Sequence, residues 1–399
     1  MILQCQDTSS LISVDAELAL EELFCCRMLP GQIALIMAHA HLNLTRGLRQ
    51  ITWHHLPRCR AYSATVTPPT SPFAPRHLLS IADLNTVELT TLIKSAAAHK
   101  IASKRGQSLV GLKEALNGKT VAMLFSKRST RTRLSTEGAV VAMGGHPIFL
   151  GKDDIQLGVN ENLHDTALVM SSMVSCIVAR VGPHSDTASL AKSSTTPVIN
   201  ALSDSYHPLQ TIADFLTMHE TFSASQKHGI GLEGLKIAWI GDSNNVLYDT
   251  CIGARKLGID VAVATPDGYK IPHSMRRMIE QAGDNVERPG KIFETTVAEE
   301  AVKDADIIAT DTWVSMGQET EKEKRLKAFK GFQVSADLAS RGGAKAHWKF
   351  MHCLPRHPEE VTDQVFYGPN SLVFAEAENR LWAAISAIEA FVVNQGRIS

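Results

Sequence analysis

The chain has 399 residues, 44% of them hydrophobic, with 40 Lys+Arg against 41 Asp+Glu and a formal net charge of -1. That length and apolar content suit two globular domains, and so even a charge balance gives no field to draw the chain to nucleic acid. The cysteines (Cys5, Cys25, Cys26, Cys59, Cys176, Cys251 and Cys353) are odd in number and lack metal-site spacing, which points to a reducing compartment, and no run reaches the roughly 18 apolar residues of a membrane span.

Residues 1–76 read as a leader outside the fold. Residues 37–82 contain Arg46, Arg49, Arg58, Arg60 and Arg76 but no acid, and residues 61–76 turn to small residues and prolines. This is the composition of a mitochondrial presequence, with processing expected between Arg60 and Ser63. Residues 1–36 carry five acids against Arg27 alone, contrary to presequence bias. Initiation at Met37 or Met28 is therefore expected. N-terminal sequencing of the native protein tests this, and a mature chain beginning before Met37 would refute it. The competing view is a non-targeting extension.

The fold is expected to begin near His77. Residues 84–101 predict a helix capped by Asn85, with Val87, Leu89, Leu92 and Ile93 on its apolar face. An apolar strand, 120–125, then runs into Ser126-Lys127-Arg128-Ser129-Thr130-Arg131-Thr132-Arg133 and a helix over 134–143. That turn sets the hydroxyls of Ser129, Thr130 and Thr132 beside Lys127, Arg128, Arg131 and Arg133. It also presents the free N–H groups of a helix start. Such a site suits phosphate, for which arginine offers a matching planar fork. The alternative is a solvated basic helix start.

A short strand, 147–150, precedes a polar loop, 152–162, that contains Gln156. A helix over 165–173, a strand over 176–180 ending in Arg180, and a helix over 187–191 follow. The strand 198–200 runs into a loop with His207 and Gln210, and residues 209–221 form a long helix. Arg131, Arg180 and His207 all follow strands, where open parallel sheets bind ligands. A linker over 223–232 leads to a second alternating set. Its expected strands are 235–240, 261–264, 307–309, 333–335 and 350–352, with helices at 246–257, 274–281, 298–303 and 376–393. The charged run 319–327 reads as a solvated helix face. The turn after Gly241 lacks G-x-G-x-x-G spacing, which argues against a dinucleotide site. Asn244 and Asn245 there suit either a ligand's polar end or a helix cap. Asp311 at a strand end could pair with an ammonium group. Cys353 has three readings: nucleophile, metal ligand or polar contact.

Four stretches carry a resemblance: Ser129-Thr130-Arg131-Thr132-Arg133, His207-Pro208-Leu209-Gln210, Asp311-Thr312-Trp313-Val314-Ser315-Met316-Gly317 and His352-Cys353-Leu354-Pro355-Arg356. With these the chain resembles the ornithine carbamoyltransferases of eukaryotes, fungi in particular, from about His77 to Val393. The resemblance implies an α/β fold of two similar domains, each a parallel sheet flanked by helices and joined by interdomain helices. Residues 77–215 would bind carbamoyl phosphate, 216–229 link, 230–365 bind ornithine, and 366–399 pack back on the first domain. Ser129, Thr130, Arg131, Thr132 and Arg180 would hold the phosphate. Thr132, Arg180 and His207 would polarise the carbonyl, and Gln210, Cys353, Leu354 and Arg380 would position the carbamoyl end. Asn245, Asp311, Ser315 and Met316 would hold ornithine, with Asp311 and Cys353 near the reacting amine. Gln156 would reach into a neighbouring subunit's site.

The family implies a homotrimer of the mitochondrial matrix that needs no metal or organic cofactor, makes citrulline for arginine biosynthesis, and binds neither nucleic acid nor membrane. The nearest competitors are relatives acting on acetylornithine, putrescine or aspartate. Asp311 favours a free α-amino group over an acetylated one, and an amine panel separates them. A nicotinamide oxidoreductase would need the missing glycine fingerprint and would bind the cofactor in a titration. A silent phosphate-binding scaffold would bind carbamoyl phosphate without making citrulline.

Overall fold

The computed structural model of the chain describes residues 75–109, 111–152, 161–223, 229–314 and 319–398. Residues 1–74 of the expected leader, and Gln156, Ser315 and Met316, lie outside the described residues, whereas Arg76, also assigned to that leader, is tied into the fold by its pair with Glu88 at 2.6 Å. Two all-parallel sheets with flanking helices make an α/β fold. The first holds β1 (Thr120–Phe125), β2 (His146–Gly151), β3 (Cys176–Arg180) and β4 (Val198–Leu202), in the order β2-β1-β3-β4. The second holds β5 (Lys236–Ile240), β6 (Asp260–Ala264), β7 (Ile292–Thr295), β8 (Ile307–Thr310) and β9 (Lys349–His352), in the order β7-β6-β5-β8-β9.

Strands buried on both faces read as continuous apolar runs, and β1 and β3 are of this kind. Successive side chains go to opposite faces. Val121, Met123 and Phe125 join the core shared with α1 (Thr86–Lys104) and α2 (Thr130–Ala142). Leu124, Ile177 and Ala179 face α3 (Leu163–Met173) and α4 (His184–Ser193). Asn85 caps α1 by accepting from the Glu88 N–H, as expected, and Leu89, Leu92 and Ile93 are buried. Val87 is not: it is 66% exposed, on the solvent side of the first turn.

The remaining helices are α5 (Pro208–Phe222), α6 (Asn245–Leu257), α7 (His273–Gln281), α8 (Ala298–Val302), α9 (Lys322–Ala328), α10 (Ala336–Arg341), α11 (Asp363–Phe366) and α12 (Val373–Ile388). Helix α12 packs against α1, α2 and α5, and α5 packs against α6. One apolar cluster therefore runs through both halves. Gly253 permits the α5–α6 approach, because a Cβ there would sit 2.3 Å from Phe215.

Three other local expectations fail. Residues 333–335 make only the isolated bridge Val334↔Val361, and Ser335 serves as the cap of α10. The second helix begins at Thr130 rather than 134, because Ser129 caps it. The charged run is not all solvent-facing: Arg325 is 5% exposed, and its guanidinium pairs with Asp242 and donates to the Trp313 carbonyl at 2.6 Å.

Register decides what meets at the strand ends. Phe125 lies opposite Arg180, which sets the β1–α2 turn beside the end of β3. Thr310 lies opposite His352, so Asp311 and Cys353 emerge side by side. The β1–β3 junction is a switch point, where the strand order reverses and ligands of open α/β sheets bind; in the second sheet the reversal falls between β5 and β8, so Asp311 leaves a strand that borders it and Cys353 the next strand out.

Candidate active site

The two strand-end regions face each other across a cleft of about 810 Å³. One wall is the start of α2. Ser129 is extended, with φ -163°, and its Oγ accepts from the Thr132 N–H at 3.2 Å, leaving the first turn's other N–H groups toward the cleft. Ser129 Oγ also donates to Thr132 Oγ1 at 3.0 Å. Arg131 reaches across to the opposite wall and donates to the Leu354 carbonyl at 2.6 Å. Lys127, Arg128 and Thr130 line the cleft. Arg133 does not share this site: it pairs with Glu137 at 2.9 Å and lies 4.0 Å over the Phe149 ring.

The floor is a cluster of buried donors. Arg180, His207 and Arg380 are 6%, 4% and 3% exposed. Burial, then Arg380 and Arg131, push Arg180 down to about 10. Burial also lowers Arg380 to about 10. The same burial, with Arg380, Arg180 and Arg131 around it, holds His207 well below the ordinary histidine range, so its imidazole is neutral. Arg180 Nε, Arg380 Nε and His207 Nδ1 are buried without a protein partner. Buried polar groups are nearly always paired, so unpaired nitrogens, two of them guanidinium donors, gathered around one cleft mark a place for an oxygen-rich anion. Gln210 links them: its Oε1 accepts from Arg380 Nη1 at 2.6 Å, while Arg380 Nη2 donates to Thr132 Oγ1 at 3.3 Å.

The far wall is acidic and amidic. Asp311 accepts from Asn244 Nδ2 at 2.6 Å, from the Thr312 N–H at 2.7 Å and from Cys353 Sγ at 3.1 Å. Asn244 also caps α6 through its Oδ1. Asn245 lines the cleft, with its Nδ2 on the Ser203 carbonyl at 2.6 Å. Burial, Asp311 and Glu376 push the Cys353 thiol well above its usual range. It is an S–H donor, unsuited to act as a nucleophile. Ligand atoms of Asp311, His352 and Cys353 lie within 4.8 Å of one another. They still make a poor metal site. His352 Nδ1 accepts from the Leu354 N–H at 2.9 Å and Nε2 lies 3.2 Å from Glu360, so neither nitrogen is free. Leu354 takes φ +63°, unusual for a leucine, where its carbonyl receives Arg131.

Sequence reasoning missed the acids behind the walls. Asp249 in α6 is fully buried and accepts from Ser80 Oγ at 2.9 Å, the Ile81 N–H at 3.0 Å and the His207 N–H at 2.7 Å. Glu360 accepts from the N–H groups of Trp313 at 3.1 Å and His357 at 2.8 Å, tying two strand-end loops together. Asp214 and Glu376 sit against Gln210. An acid at an otherwise buried helix position was the available signal, and Asp214 and Asp249 both carry it.

Comparison with known proteins finds relatives over both halves of the chain. The carbamoyl-P binding domain of aspartate/ornithine carbamoyltransferases matches residues 76–220, and their Asp/Orn binding domain matches residues 233–391. The mitochondrial ornithine carbamoyltransferase of Aspergillus niger is 68% identical over 346 residues, covering 85% of this chain and 94% of the relative. The ornithine carbamoyltransferase of Saccharomyces cerevisiae is 49% identical over 336 residues, covering 83% and 98%. The crystal structure of a mitochondrial ornithine carbamoyltransferase from Coccidioides immitis superposes with TM-score 0.77 at 64% identity, over 82% of this chain and 100% of the other. The ornithine carbamoyltransferase from Pyrococcus furiosus gives TM-score 0.73 at 44% identity, over 81% and 98%. With both family domains matched in order and two thirds of the residues shared with a fungal relative, the chain belongs to the aspartate/ornithine carbamoyltransferase family, on its ornithine branch.

Proposed function

We propose that the chain transfers the carbamoyl group of carbamoyl phosphate to the δ-amine of L-ornithine, giving L-citrulline and phosphate for arginine biosynthesis in the mitochondrial matrix. The observation that carries this reading is the set of unpaired buried nitrogens, the guanidinium donors Arg180 Nε and Arg380 Nε with His207 Nδ1, beside the open start of α2. Phosphate would rest on Ser129, Thr130, Arg131, Thr132 and Arg180. The carbonyl oxygen would face Thr132, Arg180 and His207. Gln210, Arg380 and the Cys353–Leu354 backbone would take the carbamoyl end. Asn245, Asp311, Ser315 and Met316 would hold the α-amino and carboxylate groups of ornithine.

The neutral δ-amine attacks the carbamoyl carbon, and charge develops on the carbonyl oxygen. Fixed cationic and hydroxyl donors stabilise that charge without reorganising. The intermediate then expels phosphate, a C–N bond having replaced a C–O bond, and the amine proton leaves. An alkyl ammonium with pKa about 10 has no lone pair, so the site must favour the free amine. The nearby guanidinium groups act in that direction. Cys353 supports the amine's surroundings as a hydrogen-bond donor and forms no covalent intermediate.

Assembly as a homotrimer is part of this proposal, with Gln156 contributed across a subunit boundary. In its support, Leu134, Val141, Ile148, Leu168, Val169 and Met173 are exposed on α2, the edge strand β2 and α3. Citrulline formation from carbamoyl phosphate and a panel of ornithine, acetylornithine, putrescine and aspartate tests the assignment. Ornithine is expected to be preferred. Equal or better turnover of another amine would overturn it, and sedimentation velocity tests the trimer.

A further inference from the structure

Behind the cleft, Asp214 of α5 and Glu376 of α12 meet around one amide. Gln210 Nε2 donates to Asp214 Oδ1 at 2.7 Å and to Glu376 Oε1 at 3.1 Å. Glu376 Oε2 accepts from the His352 N–H at 2.9 Å, directly before Cys353. Two buried carboxyl groups that share one Nε2 donor are too close for both to stay ionised, so one proton is held between them. Both Glu376 oxygens already receive N–H donors. Among the described residues no N–H reaches Asp214 Oδ2, so the hydrogen-bond inventory leaves that oxygen to carry the shared proton.

We infer that Asp214 and Glu376 act as a one-proton acid pair that fixes the Gln210 amide with Oε1 toward Arg380 and the cleft, making them positioning residues for the carbamoyl group. The inference rests on the carbamoyl-transfer reading above. A flipped amide would set Nε2 against the Arg380 guanidinium and Oε1 against two carboxyl groups. The held orientation offers an acceptor, which a carbamoyl NH₂ can use and a methyl group in its place cannot. Burial supports the shared proton: it pushes Asp214 up to about 7 and Glu376 well above the carboxylate range. The charged and titratable groups facing the pair are Arg380 from α12, Asp311 beyond β8, His352 at the end of β9 and Cys353 just after it.

Two carboxyl-to-amide substitutions that each keep the side chain's shape separate this from a general structural role. In Asp214→Asn, Oδ1 still accepts from Gln210 and Nδ2 replaces the O–H that donates to Glu376. In Glu376→Gln, the new NH₂ must face either Gln210 Nε2 or the His352 N–H, both donors. Steady-state citrulline assays on full-length wild type, D214N and E376Q would give the KM for carbamoyl phosphate and the inhibition constant of inorganic phosphate, which reports the phosphate contacts alone. The expected result is a KM near wild type for D214N and one raised about ten- to hundredfold for E376Q, the scale of an unpaired buried polar group. Phosphate inhibition should be unchanged in both. Raising pH should raise the wild-type KM as the pair loses its proton, an effect absent in D214N. Equal impairment of the two variants, unimpaired E376Q, or weakened phosphate inhibition in parallel with KM would overturn the inference. Thermal unfolding of each variant identifies one that does not fold. If E376Q is that variant, the missing alkaline rise in D214N decides, and its persistence would overturn the inference. A wild type that makes no citrulline would defeat the carbamoyl-transfer reading itself and this inference with it.

Discussion

Arg131→Leu removes a charge that spans the cleft. Its guanidinium donates to the Leu354 carbonyl at 2.6 Å and lines the pocket beside the α2 start. Losing one partner of a buried charge contact costs roughly 2–5 kcal/mol. At about 1.4 kcal/mol per decade, kcat/KM for carbamoyl phosphate should fall roughly 30- to 5,000-fold. The fold should change far less. One hydrogen bond is lost, but Arg131 also disfavours the charge on Arg180 and Arg380, so its removal relieves repulsion. A net change within about 1 kcal/mol is expected, or about 4 °C or less in Tm. Citrulline production at subsaturating carbamoyl phosphate, paired with thermal unfolding, measures both. Arg133→Leu is the control. It lies two residues on in α2, but its side chain goes to Glu137 and Phe149. It should stay within about threefold of wild type, the scale of a surface change. An Arg131 variant with near-normal activity, or an Arg133 variant equally damaged, would refute the assigned phosphate wall.

Cys353→Ser keeps a donor for Asp311 and should lose about ten- to hundredfold in kcat, far less than the roughly 10⁶ seen when a nucleophile is removed. Mass spectrometric trapping of carbamoylated Cys353 during turnover would contradict this. Arg325→Met strands Asp242, whose carboxyl burial already pushes up to about 7, and should cost about 3–5 kcal/mol in urea unfolding. A loss under about 1 kcal/mol would restore the solvated-face reading of that run. His77 Nδ1 accepts the Val198 N–H at 3.0 Å, and burial holds its pKa down at about 4. Its unfolded value is 6.5, so its contribution is complete above that pH and is lost as pH falls from 6.5 toward 4. His77→Gln should flatten that decline by about 1–3 kcal/mol, and an unchanged pH slope would rule His77 out as its cause.

The sequence exposed what local pattern controls. Buried parallel strands are apolar runs, so β1, β3, β5, β8 and β9 were legible, and with them the residues they deliver. β7 was not, because it is a short edge strand whose Phe293 is 52% exposed. The α2 start was hidden inside its own ligand motif, since the residues that bind an anion are also those that cap a helix. Arg325 looked like any cation in a charged run until its partner appeared 83 residues away.

The same limit explains why Arg131, Arg180, His207 and Asp311 could be named from their place after strands while the acids behind them could not. A residue that meets a ligand at a strand end is marked by the strand before it. A residue that orients another side chain is marked only by its partner, and Gln210 and Glu376 are 166 residues apart. Within α5, Asp214 stands between the apolar pairs Ile212-Ala213 and Phe215-Leu216, a hint of burial that names no partner. Once α12 folds back over α5, that position is buried, and a carboxyl group there needs both a donor and a proton. The packing of the last helix therefore does more than join the halves: it brings Arg380 and Glu376 to Gln210 from one helix, four residues apart and on the same face. Truncating α12 should consequently remove carbamoyl-phosphate binding along with stability, whereas a helix that served only as a brace would leave binding intact in whatever fraction stayed folded.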